Sequence, residues 1–104
     1  MKSPLELIID TTDNTEIRVG LIIDGKKDLE TVVRSPQKSQ VVLPLIEKLL
    51  AKYKRSLTDI TAITINPGPG SFTGIRVGLS IANTLAALYN IPINGKKSAQ
   101  PVYE

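Results

Sequence analysis

The stretch from Asn66 to Leu79, NPGPGSFTGIRVGL, constrains the fold more than any other part of the chain. It sets Pro67, Pro69 and a series of glycines between a β-branched run, Ile60 to Ile65 (ITAITI), and a long apolar segment ending at Tyr89. Prolines cannot continue the ladder of an inner strand, and a helix forms readily only beyond them. The segment therefore reads as strand, tight loop and helix, with the helix from about Thr73 to Tyr89. Asn90 fits its C-cap, and IPINGK gives a short strand, Ile91 to Asn94, entered through a proline.

Glycines between a strand and a helix suggest a phosphate cradle, because bare amides and a helix N-terminus attract anions. The spacing does not match. No Gly-Lys-Ser/Thr follows, the run Gly68, Gly70, Gly74 is GxGxxxG rather than GxGxxG, and no carboxylate follows Gly74 until Glu104. Gly70, Gly74, Gly78, Ala82 and Ala86 instead recur every four residues and form a ridge almost without side chains. Such a ridge fits close packing, either against this chain's own first helix or sheet or against a helix of another protein. The remaining faces carry Ile75, Val77, Leu79, Ile81, Leu85 and Leu88, more apolar surface than one sheet covers.

Upstream, Leu5 to Ile9 reads as a strand, Asp13-Asn14 as a bend, and Ile17 to Ile23 and Leu29 to Val33 as strands joined by a hairpin at Asp24-Gly25. From Ser39 the period changes, with Val42, Leu45, Ile46, Leu49 and Leu50 on one helical stripe. Pro44 lies too deep for the first turn, so this helix either starts late or kinks there. The order βββαβαβ implies an α/β lobe with a mixed five-stranded sheet and two main helices, since the hairpins pair antiparallel and the strand–helix–strand units parallel. Residues 1–97 form that single lobe and 98–104 a C-terminal tail; 104 residues suit one domain.

The chain has no cysteine and no histidine, which removes thiolate chemistry, disulfides, the usual imidazole base and any Cys- or His-built metal site. No catalytic residue, metal or cofactor is expected. Four aromatic residues (Phe72, Tyr53, Tyr89 and Tyr103) offer little for base stacking. Pro4 and Glu6 interrupt the opening run where a secretory signal would be apolar, and Arg76, Ser80, Asn83 and Thr84 interrupt the longest apolar run, so a cytoplasmic protein without membrane contact is expected. The net charge of +3 includes clusters at Lys26-Lys27, Lys52-Lys54-Arg55 and Lys96-Lys97. These short runs are read as solvated faces that add weak attraction for RNA phosphates; no DNA partner is expected.

The string PGPGSFTGIRVGLSIA resembles the signature of the bacterial TsaB family (older name YeaZ), and an opening IIDTT, the helix KSQVVLPLIEKLL and a closing IPING fall in register with it. The resemblance covers the family's N-terminal lobe and implies the actin-like, sugar-kinase-like fold, whose lobes begin βββαβαβ. It implies a non-catalytic partner of the TsaD enzyme in forming threonylcarbamoyladenosine on tRNA, with a TsaE-type ATPase associated and tRNA engaged indirectly. TsaD-type proteins hold their metal on a His-rich helix motif that this chain lacks. Partner contacts are then expected from Leu45, Leu49, Gly70, Ser71, Phe72, Thr73, Gly74, Ile75, Arg76, Gly78, Leu79 and Ala82, with Gly74, Gly78 and Ala82 setting the approach distance; alone, the chain is expected to pair with a second copy. Asp10, Thr11 and Thr12 resemble the fold's first phosphate-loop segment, so a nucleotide- or anion-binding homodimer is the alternative. Three departures stand out: family members are about twice as long, Lys38 occupies a place where histidine is common, and Asn66-Pro67 precedes Gly68.

Overall fold

A computed structural model describes residues 3–13, 15–33 and 38–102. Asn14 of the expected bend, the Lys38 side chain, and Tyr103 and Glu104 of the tail lie outside the described residues. Strand β1 (Leu5–Asp10) pairs antiparallel with β2 (Glu16–Ile23), and β2 pairs antiparallel with β3 (Lys26–Val33). Helix α1 (Lys38–Lys52), a 3-10 turn (Leu57–Asp59), β4 (Ala62–Ile65) and helix α2 (Phe72–Tyr89) follow. β4 joins β1 in parallel, so the mixed sheet runs β3-β2-β1-β4.

The register follows from alternation. Leu7 faces Leu21 on one side and Ile63 on the other, and Ile9 lies between Val19 and Ile65. All six are buried, together with Leu5 and Ile17, on the side that both helices cover. α1 contributes Val42, Leu45, Ile46, Leu49 and Leu50, the expected stripe, and α2 contributes Ile75, Leu79, Ala82, Leu85 and Ala86. The hairpin between β2 and β3 turns at Asp24 and Gly25 with φ values of 51° and 80°, the double left-handed geometry that an Asp-Gly pair suits.

Helix α1 does not start late: it begins at Lys38 and runs through Pro44, which lies on its exposed side. The sheet has four strands among the described residues, not five. Ile93 is buried and bridges Ile63 in parallel at the place where a fifth strand would lie, but the backbone turns at Asn94 (φ 50°) and Gly95 (φ 76°) and doubles back to Lys96. The Asn94 side chain completes the ladder instead: its Oδ1 accepts from the Ile65 amide at 2.9 Å and its Nδ2 donates to the Ile65 carbonyl at 3.0 Å.

Candidate functional site

Beyond β4 the glycine-rich loop is tied down at several points. The Asn66 amide donates to the Ile9 carbonyl, the Ser71 amide to the Thr12 carbonyl at 2.7 Å, and the Val102 amide to the Pro67 carbonyl at 2.8 Å. A Cβ on Gly70 would lie 2.6 Å from the Thr12 carbonyl oxygen, and one on Gly68, which sits at φ 116°, 2.2 Å from that of Val102. Only glycine permits these backbone approaches. The described part of the segment after Lys97 also reaches α2, where Asn83 and Ala99 exchange two hydrogen bonds.

α2 starts at the cap Ser71, whose Oγ accepts from the Gly74 amide at 3.2 Å, and ends at Asn90, which takes the left-handed cap conformation at φ 54°. Thr11, fully buried at the end of β1, donates its hydroxyl to the Gly74 carbonyl at 2.6 Å. A Cβ on Gly78 would stand 2.2 Å from that hydroxyl oxygen and 3.1 Å from Ile65 Cδ1. Gly74, Gly78, Ala82 and Ala86 are all buried. The small-residue ridge therefore faces inward, letting α2 approach the ends of β1 and β4, and the spacing role expected of Gly74, Gly78 and Ala82 at a partner helix is taken up inside the lobe. Leu45, Leu49, Ile75 and Leu79 are core residues for the same reason.

The phosphate-loop-like segment is engaged internally too. The amides of Gly68, Ser71, Gly74 and Ile75 all donate within the chain. Thr12 donates through both its amide (3.0 Å) and its hydroxyl (2.7 Å) to Asp10 Oδ1, and Asn66 Nδ2 donates to Asp10 Oδ2 at 3.2 Å. Partial burial by itself raises the pKa of Asp10; the bonds from Thr12 and Asn66 and the nearby Arg18 charge outweigh it and hold the carboxyl below its ordinary value. An ionised carboxylate thus stands beside the loop.

Of the expected contact residues, Phe72, Thr73 and Arg76 are exposed and Gly70 and Ser71 lie at the loop's surface. Phe72 is 57% exposed, and the Arg76 guanidinium lies over its ring, 5.6 Å from the centroid. Together with Val77, Ser80 and Ile81 they line a shallow groove of about 500 Å³ along the outside of α2. Val77, Ser80 and Ile81 were not singled out as contact residues, although they repeat the spacing of Thr73 and Arg76 at steps of four. One turn further, Asn83, Thr84, Ala87 and the 67%-exposed Leu88 continue the same side. Arg76 is the only charged residue in the 18 of α2.

An α/β lobe of this order, with an inward-packed glycine ridge and a helix carrying Arg76 as its single charge, is a known structural class: the fold matches YeaZ from Pseudomonas aeruginosa with a TM-score of 0.81 at 28% identity, over 86% of this chain and 42% of that one. A family model described as TsaD, tRNA N6-adenosine threonylcarbamoyltransferase, matches residues 31–100. Among curated proteins, the tRNA threonylcarbamoyladenosine biosynthesis protein TsaB of Escherichia coli is 37% identical over 86% of this chain, and that of Bacillus subtilis 30% identical over 90%. The chain belongs to this family, on its TsaB (YeaZ) side. It spans 38–41% of the length of these two curated relatives.

Proposed function

We propose that this chain works in tRNA threonylcarbamoyladenosine formation as a non-catalytic scaffold that docks on a TsaD-type transferase through the outer face of α2. The observation that carries the reading is the chemistry of that face. A helix at a protein surface ordinarily turns charged residues outward, whereas here Thr73, Val77, Ser80, Ile81, Thr84, Ala87 and Leu88 share the outward side with Arg76 alone. Phe72 and Leu88 are the most exposed large apolar residues among those described, and they sit at opposite ends of the helix. An aromatic anchor with an arginine beside it, on a depleted-charge surface, has the composition of a protein interface core.

The absence of histidine from the sequence and the TsaB names of the relatives support a supporting role over a catalytic one. The family model, named for the transferase, agrees with a shared lobe fold between partners, so that docking joins two related lobes. A TsaE-type ATPase would join through the transferase. Co-purification of the chain with a tagged TsaD-type transferase tests the reading: a stoichiometric complex is expected. A chain that stays paired with a second copy and ignores the transferase would overturn it.

A further inference from the structure

The fold brings together two of the three basic clusters that look separate in sequence. α1 ends beside the β2–β3 hairpin, where Lys52 Nζ lies 2.9 Å from Asp28 Oδ2 and the Tyr53 hydroxyl donates to the same carboxylate. Tyr53, Lys26 and Lys27 line one groove of about 270 Å³, together with Leu21, Ile23, Asp24 and Asp28. Just past the helix, Lys54 takes a left-handed conformation at φ 57° and the Arg55 amide closes onto the Leu50 carbonyl at 3.0 Å. Arg55 then donates from its guanidinium to Ser3 Oγ at 3.5 Å, beside the start of β1.

Lys26, Lys27, Lys54 and Arg55 thus gather at one end of the lobe, and none of them forms an ion pair among the described residues. Carboxylates share this end: Asp24 and Asp28 line the hairpin groove, Glu47 lines a groove with Arg55, Asp59 follows in the 3-10 turn, and Glu6 lies opposite Ile22. Asp28 is matched by Lys52, and Asp59 accepts from the Ser56 amide at 2.8 Å. Lys52 complements the negative end of the α1 dipole, but the hairpin lysines have no such role, and Lys54 holds a cap conformation that glycine ordinarily fills. The opposite end of the sheet carries Asp10, Asp13 and Glu16 around Arg18.

We propose that the end formed by Lys26, Lys27, Lys54 and Arg55 binds the phosphate backbone of an RNA, so that the scaffold contacts tRNA directly at the pole opposite its glycine-rich loop. Four cations spaced over a hairpin and a helix end suit successive phosphates, whose neutralisation releases counterions and makes binding steeply salt-dependent. The choice of RNA over other polyanions rests on the proposed role in tRNA modification.

The test is anisotropy of a labelled unmodified tRNA titrated with the purified chain. Four neutralised phosphates should weaken binding roughly 50- to 150-fold between 50 and 200 mM salt. A Lys26→Glu/Lys27→Glu/Lys54→Glu/Arg55→Glu variant, folded by circular dichroism, should lose binding at 50 mM salt and still co-purify with the transferase. Lys96→Glu/Lys97→Glu, away from this end, should retain it within a few-fold. No binding by the folded wild type, equal loss in both variants, or preference for phosphatidylglycerol vesicles over tRNA would overturn the proposal. Transferase co-purification in the same preparations separates its failure from that of the docking reading.

Discussion

At the scale of single residues, Gly78 holds the lobe together by having no side chain. A methyl group there would overlap the Thr11 hydroxyl, which is itself fixed by its bond to Gly74. Gly78→Ala would gain about 1 kcal/mol of helix propensity, yet overpacking typically costs about 1–3 kcal/mol. Urea denaturation should therefore show net destabilisation, and Gly78→Leu should fail to give a folded monomer. The four-residue recurrence of small residues was plain in the sequence, but its direction was not: periodicity gives the stripe, and only the third dimension says that Thr11 and Ile65 lie beneath it. Asp10 gives a pH test. Its folded pKa is below the ordinary value, so the stabilisation is present above the ordinary carboxylate range, near pH 4, and is lost as pH falls through the lower, folded value. Asp10→Asn should flatten acid unfolding in that window, read as a smaller fall in melting temperature below pH 4.

Among the elements, the sequence carried the three opening strands, both helices and the Asp-Gly hairpin, because alternation, helical stripes and turn chemistry are local signals. It overstated the fifth strand. Ile91 to Asn94 has strand composition, but the ladder beside β4 is completed by the Asn94 side chain after the backbone turns, a substitution that propensity does not register. Pro44 left a late start or a kink open in the sequence; the helix begins at Lys38 and carries Pro44 on its exposed side. As the ring interrupts an exposed helix interior, Pro44→Ala should stabilise the lobe, by up to about 3 kcal/mol, measurable as a raised urea midpoint. The exposed residues of α2 make the docking claim separable from stability. Ser80→Glu places an acidic charge on an outer face whose only charge is Arg76, and it should leave the melting temperature within a degree or two while reducing transferase co-purification at least tenfold.

Over the whole molecule, the two helices share one face of the sheet, the carboxylates of Asp10, Asp13 and Glu16 gather at one end, the basic residues of the hairpin and the α1 terminus at the other, and the outer side of α2 runs between them. The family resemblance was legible in the string GPGSFTGIR, yet which of its residues are exposed was not. Seven of the twelve residues expected at an interface, Leu45, Leu49, Gly74, Ile75, Gly78, Leu79 and Ala82, are buried in this lobe. Of the motif, Phe72, Thr73 and Arg76 point outward, onto the face proposed for docking. Hydrogen–deuterium exchange of the chain, alone and with a TsaD-type transferase, tests this most directly. Docking through α2 requires slower exchange in peptides covering 72–84 and unchanged exchange in the β2–β3 hairpin. Protection confined to other elements, or none in the presence of a formed complex, would contradict it.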